Sequence, residues 1–329
     1  MKKTISIYCT LGPSSLNAKF LKFAEKNKVS LVRLNLSHLT LKNLQENLKY
    51  IKKNSKLNIC VDTEGAQIRT KTKITKPKLF RKNQSGVIYN KSQKGFALYP
   101  SDVFYKIKVG DILDIGFEGL KIKINQKNQD KILFKVLSPG LLEGNKGVHI
   151  INRKIKLNYL TDKDLKAIQI AKKYKIKNFA LSFTNSCLDI INFKNLLKKE
   201  NKIYKIETKQ AVKNLDKMLK YGNNFLIDRG DLSKDITIES IPLAQRLIIS
   251  KAKKMNNKNI FIATNFLESM IKNSSPTRAE ANDIYNSIEM GCAGIVLAAE
   301  TAIGKYPMEC VTFVNKIIKK YKNKKKQIF

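Results

Sequence analysis

Residues 202–231 read KIYKIETKQAVKNLDKMLKYGNNFLIDRGD, and this stretch decides the fold. An apolar run at 202–206 is followed by an amphipathic run at 210–220 and a second apolar run at 224–227. That is one strand–helix–strand unit, the building block of a parallel sheet. Both strands end in charge: Lys205-Ile206-Glu207 closes the first and Asp228-Arg229-Gly230-Asp231 follows the second.

The same rhythm extends outward. Strands are expected at 4–8, 30–34, 57–61, 178–181, 202–206, 224–227, 259–263 and 294–297, and helices at 17–26, 41–53, 161–173, 210–220, 241–254 and 278–290. Several helices open on Ser, Thr or Asp as caps, Thr161-Asp162-Lys163-Asp164 being one example. Eight such strands close naturally as a (β/α)8 TIM barrel of the α/β class. Between 69 and 156 the pattern changes to alternating β runs, such as 111–124 and 131–137, punctuated by Gly and Pro. The expected organisation is therefore a barrel from 1–68 and 157–329, with an inserted all-β domain at 69–156 and a basic helix and tail at 316–329.

Composition narrows the function classes. The 329 residues suffice for one barrel plus an insert. No apolar run approaches the ~20 residues of a membrane helix, and Met1-Lys2-Lys3-Thr4-Ile5 leads straight into a strand, so a cytoplasmic protein is expected. Five scattered cysteines without CxxC spacing argue against disulfides and zinc. The formal charge of +38 invites a nucleic-acid reading, but lysine is spread along the whole chain, beside abundant Asn and Ile and no Trp. That pattern fits codon bias toward A and T, and neither a nucleic-acid nor a membrane partner is expected.

In barrel enzymes the chemistry lies at the C-terminal ends of the strands. Those positions here hold Arg33-Leu34-Asn35-Leu36-Ser37-His38, Asp62-Thr63, Lys205-Ile206-Glu207, Asp228-Arg229-Gly230-Asp231 and Thr264-Asn265. Glu207 and Asp231 end neighbouring strands and can share one hard cation such as Mg²⁺ or Mn²⁺. Lys205, two residues before Glu207, faces the same pocket, and Arg33 can hold a phosphate from the other side. The set suits phosphoryl transfer.

Further segments in order along the chain sharpen this: Cys9-Thr10-Leu11-Gly12-Pro13-Ser14-Ser15, residues 61–70, residues 144–148, Ser269-Met270-Ile271-Lys272-Asn273 and Pro276-Thr277-Arg278-Ala279-Glu280, then residues 300–307. With them the chain resembles the pyruvate kinase family from Lys3 to about Val314. The resemblance implies transfer of the phosphoryl group of phosphoenolpyruvate to ADP, giving pyruvate and ATP, the last step of glycolysis. Lys205 matches the lysine that stabilises the transition state; Glu207 and Asp231 match the divalent-metal ligands; Arg33, Gly230 and Thr264 match substrate-binding positions. Asn35, Ser37, Asp62 and Thr63 match a K⁺ site, and Asn35, Leu36, Ser37, His38, Arg69 and Lys146 match nucleotide contacts. The β insert corresponds to a lid that closes over the barrel mouth and excludes water.

The departures are specific. Where the family reads Asp-Thr-Lys-Gly-Pro-Glu-Ile-Arg-Thr, this chain has Asp62-Thr63-Glu64-Gly65-Ala66-Gln67-Ile68-Arg69-Thr70. A Glu at the position of Gln67 accompanies K⁺ dependence in the family and a Lys there replaces the cation's charge, so Gln67 points to a retained but weaker K⁺ site. Ala298-Ala299-Glu300 stands for Ser-Gly-Glu and removes a hydroxyl of a proton-relay network. The lid's Asp pair is replaced by Phe117-Glu118 before Gly119-Leu120, and Asn265 is shorter than the family's Gln. No C-terminal regulatory domain is expected after the barrel, hence no sugar-phosphate regulation and an altered or smaller homo-oligomer. The alternative reading is a catalytically degenerate barrel that binds phosphoenolpyruvate, nucleotide or a partner.

Overall fold

The computed structural model describes residues 4–72, 77–91, 95–116 and 119–323. They form two compact units: the chain up to Gly65 together with the chain from Asp162 onward, and Ala66–Thr161.

The first unit is a closed barrel of eight parallel strands: Ser6–Thr10, Leu31–Asn35, Ile59–Asp62, Asn178–Leu181, Asn201–Ile206, Asn224–Asp228, Asn259–Ala263 and Gly294–Leu297. Each strand pairs with its neighbours in chain order, and the first closes on the eighth with Ser6 opposite Gly294. The first strand begins two residues later than expected. Cys9 and Thr10 still have ladder partners, in Leu297 and Arg33, and the strand runs on to use them.

The barrel is plugged by side chains. Leu31, Cys60, Ala180, Ile203, Leu226, Phe261, Ala263 and Val296 form one buried cluster, and the Tyr8 ring stacks on Phe261 with centroids 4.6 Å apart. Outside lie the helices, whose buried stripes follow the helical period; Leu44, Leu48 and Ile51 in Leu41–Asn54 are an example.

Three helices differ from expectation. The run at 210–220 is two helices, Lys209–Lys213 and Leu215–Tyr221, broken at Asn214, whose amide donates to the Asn185 carbonyl at 2.7 Å. Cys187–Leu196 is an additional helix, opened by a capping box of Ser186 and Asp189. The last helix starts at Pro307, well before 316, and buries Cys310, Val311, Val314 and Ile318; residues 324–329 of the expected tail lie outside the described residues. Among the described residues no helix is long and apolar enough to cross a membrane.

The second unit is a closed barrel of seven short strands, in the order Lys131–Ser138, Ser85–Tyr89, Ala97–Tyr99, Ile68–Lys71, Gly147–Ile150, Ile112–Ile115 and Leu120–Lys127. All pairings but one are antiparallel. Alternation builds its core: Leu120, Ile122 and Ile124 point inward from one strand, Ile132, Phe134 and Val136 from the next. Phe134 requires Gly86 opposite it, because a Cβ there would lie 2.2 Å from the ring. Phe117 and Glu118, the residues at the altered lid motif, lie outside the described residues.

Candidate active site

In a strand, alternate side chains share a face, so the residue two beyond an inward apolar residue also points inward. Five barrel strands convert this period into a polar belt above the apolar plug. Leu31 is followed by Arg33, Cys60 by Asp62, Ala180 by Ser182, Ile203 by Lys205 and then Glu207, and Leu226 by Asp228. Arg33, Asp62, Ser182, Lys205, Glu207 and Asp228 are all buried.

The belt is held together by charge. Arg33 donates through Nε to Thr10 Oγ1 and through Nη1 to Asp62 Oδ2, both at 3.0 Å. Asp62 Oδ1 accepts from Ser182 Oγ at 3.1 Å. Lys205 Nζ donates to Ser182 Oγ at 3.2 Å and to Asp62 Oδ2 at 3.4 Å. It also forms ion pairs with Glu207 Oε1 at 2.7 Å and Asp228 Oδ2 at 3.3 Å. Burial by itself would lower the Lys205 pKa, but Asp62, Glu207 and Asp228 outweigh it and hold the ammonium above the usual lysine range. Burial pushes the Glu207 carboxyl up to about 8, against the pull of Lys205 and with the negative charges of Asp228 and Asp231 adding to it. Asp228 moves the other way: Lys205 and Arg33 overcome its burial and keep it below the usual carboxylate range.

Glu207, Asp228 and Asp231 each offer a carboxylate oxygen, and these lie within 4.8 Å of one another. Glu207 Oε1 is buried and accepts no hydrogen bond, meeting Lys205 only as an ion pair. A buried oxygen of this kind, in an all-oxygen set, fits a hard divalent cation. The two sequence-expected ligands, Glu207 and Asp231, are both in this group.

Thr264 and Gly230 are brought together next to it. The Gly230 N–H donates to Thr264 Oγ1 at 2.8 Å. Thr264 and Asn265 hold positive φ angles of 71° and 56°, a strained backbone for a β-branched residue. Arg229 fixes it: Nε donates to the Thr264 carbonyl at 3.1 Å, Nη1 binds Asp283 at 2.7 and 3.0 Å, and the guanidinium lies 4.2 Å from the centre of the Phe266 ring.

Asn35 and Asp62 are register partners on adjacent strands, and Thr63 is fully buried beside them. Asn35 Oδ1 accepts from the N–H of Ser37, which opens the turn Leu36–His38. Lys163 Nζ reaches into this corner, donating to the Leu36 carbonyl at 2.6 Å and to Glu64 Oε1 at 2.7 Å. The loop after Asp62 is pinned from below by Asp164, whose carboxylate accepts from the N–H groups of Glu64 at 2.7 Å and Gly65 at 3.1 Å. Gly65 has φ +70°, and a Cβ on it would stand 2.5 Å from the Ser182 carbonyl oxygen, so only glycine fits. The oxygen-rich set of Asn35, Ser37, Asp62 and Thr63 suits a monovalent cation, but Asp62 already shares its charge between Arg33 and Lys205.

In the second unit, Arg69 lies opposite Gly147 in the antiparallel ladder, which sets it beside Lys146. Arg69 Nη1 donates to the Asn145 carbonyl at 3.1 Å, and Lys146 Nζ pairs with Glu143 at 2.7 Å. At the eighth strand the Ala298 N–H donates to Glu300 Oε2 at 3.0 Å, and burial raises the Glu300 carboxyl.

Sequence reasoning placed Asp228 and Arg229 among the polar strand ends without giving either a role, and did not single out Ser182, Lys163 or Asp164 for the site. For Ser182 and Asp228 a signal existed, since each stands two residues beyond an inward apolar residue. Lys163 and Asp164 act across about a hundred residues of chain, on Glu64 and Gly65, and no local pattern marks that.

Comparison with known proteins gives the family. The family model described as pyruvate kinase, barrel domain, matches residues 1–311. Similar curated proteins include the pyruvate kinases of Geobacillus stearothermophilus, 32% identical over 96% of this chain and 57% of that protein, and of Methanocaldococcus jannaschii, 32% identical over 97% and 69%. The pyruvate kinase of Thermotoga maritima is 29% identical over 98% of this chain and 72% of its own length. Against the Geobacillus and Staphylococcus haemolyticus relatives the chain spans little more than half their length, 57% and 56%. With the barrel, its polar belt and these matches in agreement, the chain belongs to the pyruvate kinase family.

Proposed function

We propose that the chain transfers the phosphoryl group of phosphoenolpyruvate to ADP, giving pyruvate and ATP. The observation that carries this reading is the buried ammonium of Lys205, held charged by three carboxylates beside a cation-ready group of oxygens. A phosphoryl group in transfer spreads negative charge over its oxygens, so a fixed cation stabilises the transition state without reorganising. Arg33, which shares Asp62 Oδ2 with Lys205, holds the phosphate beside it. Gly230 and Thr264, whose N–H and hydroxyl oxygen are joined at 2.8 Å, seat the carboxylate end of the substrate.

Glu207 and Asp231 would hold Mg²⁺ or Mn²⁺, which when bound supplies charge neutralisation to the substrate oxygens. Asn35, Ser37, Asp62 and Thr63 would hold K⁺ weakly. Arg69 and Lys146 in the β unit, and separately the Asn35–His38 turn of the barrel, are the candidate nucleotide contacts. Because Ala298 carries no hydroxyl, the released enolate takes its proton from water.

The test is pyruvate formation from phosphoenolpyruvate and ADP with Mg²⁺, beside a Lys205→Ala protein purified identically to expose host contamination. Activity confined to the unmodified chain supports the proposal. A folded, Mg²⁺-binding chain that forms no pyruvate would point to a binding barrel instead.

A further inference from the structure

Carboxylates outnumber cations at the mouth of the barrel. Asp62, Glu207, Asp228 and Asp231 face two buried cations, Arg33 and Lys205. Asp231 has a further partner in Lys234, but that side chain is 40% exposed and largely screened. Buried carboxylates in excess of their cations are costly, and a divalent cation is a ligand that offsets them.

Three carboxylates surround the place where such a cation would sit. We propose that Asp228 is a third carboxylate ligand beside Glu207 and Asp231, so that the divalent-cation site of this chain is a three-carboxylate site. The inference rests on the divalent-cation reading of Glu207 and Asp231 given above.

The geometry supports it in three ways. Asp228 ends its strand in the inward column above Leu226 and is 5% exposed, so it cannot turn to solvent. Its Oδ1 makes a long contact with Thr264 Oγ1, at 3.5 Å, and lies 3.7 Å from the point a Gly230 Cβ would occupy, a place no glycine side chain fills. The three ligand oxygens lie within 4.8 Å of one another. Two ligands on opposite sides of one Mg²⁺ at ~2.1 Å are about 4.2 Å apart, so side-chain rotations of about half an ångström close the set. Glu207 Oε1, buried and met by the Lys205 ammonium at 2.7 Å with no other hydrogen-bond donor, is the second mark of a ligand at this place.

The competing role for Asp228 is purely as a partner of Lys205. Asp62 makes a controlled comparison, because it meets the same ammonium at 3.4 Å, against 3.3 Å for Asp228, yet is outside the three-oxygen group. Mn²⁺ binding is measured by the loss of the free-ion paramagnetic resonance signal in the full chain, with Asp228→Asn, Asp62→Asn and Glu207→Gln proteins checked for folding by circular dichroism. The expected result is that Asp228→Asn weakens Mn²⁺ binding at least about tenfold more than Asp62→Asn, since a lost ligand exceeds a lost neighbouring charge. Equal effects of the two Asn variants, with Glu207→Gln strongly weakened, would overturn the third-ligand role alone. Failure of the unmodified chain to bind Mn²⁺, or no effect of Glu207→Gln, would overturn the metal site itself and this inference with it. Should Asp228→Asn fail to fold, Asp228→Ala, which leaves space rather than an unpaired amide, is read against the same outcomes.

Discussion

The two units hold their charged candidate residues in opposite ways. At the barrel mouth Arg33, Lys205 and Glu207 are at most 4% exposed, and each is tied to at least two other groups. In the β unit Lys146 pairs with Glu143 in a bridge whose side chains are 35% and 28% exposed. Breaking a buried network by removing one partner costs about 3–5 kcal/mol, whereas an exposed pair contributes about 0–1 kcal/mol. The barrel therefore holds its charges in fixed places, whereas the exposed Lys146–Glu143 pair of the insert can rearrange at little cost.

That contrast is open to test, beginning where the effect is largest. Replacing Lys205 by Ala should lower kcat about 10³-fold or more, the scale of losing a preorganised charge at a transition state. A loss under about tenfold in steady-state kinetics would break the contrast at its strong end. Asp164→Ala should destabilise the barrel by about 2–5 kcal/mol, because the buried N–H groups of Glu64 and Gly65 lose their acceptor. Urea denaturation would read this as a lower midpoint at unchanged slope, and an unchanged midpoint would show that water replaces the carboxylate.

Lys146→Ala should raise the KM for ADP by about three- to tenfold with kcat nearly constant, and shift stability by less than about 0.5 kcal/mol. A kcat loss as large as that of Lys205→Ala would place chemistry in the insert and undo the distinction. The smallest effect is expected for the monovalent cation. Exchanging K⁺ for tetramethylammonium should change kcat by less than about threefold, since Asp62 is already neutralised by Arg33 and Lys205. A strict K⁺ requirement would show that Asn35, Ser37, Asp62 and Thr63 form a working site despite Gln67.

Much of this was legible in the sequence for a physical reason. Strands such as Asn178–Leu181, Asn259–Ala263 and Gly294–Leu297 are short apolar runs between amphipathic helices, and parallel sheets buried on both faces write themselves in that form. The charged strand ends were visible too, because Lys205, Glu207 and Asp231 break an apolar context abruptly. Less legible was what depends on inward phase or on long-range contact. Asp228 reads as part of a polar turn until the column above Leu226 is counted, and Ser182 is an unremarkable small residue until Ala180 is known to face inward. The helix Cys187–Leu196 carries apolar residues on several faces, so its period is weak, and only the Ser186 and Asp189 cap announces it. The break at Asn214 depends on Asn185, a contact between two different loops.

In the proposed reaction the fixed charge of the barrel moves a phosphoryl group to ADP. Phosphorus nuclear magnetic resonance of phosphoenolpyruvate, ADP and Mg²⁺ with the full chain tests it most directly, beside the Lys205→Ala protein. The account predicts loss of the phosphoenol signal matched by growth of the ATP γ-phosphate signal, and no change with Lys205→Ala. Release of the phosphoryl group as inorganic phosphate, or a spectrum unchanged by the unmodified chain, would contradict it.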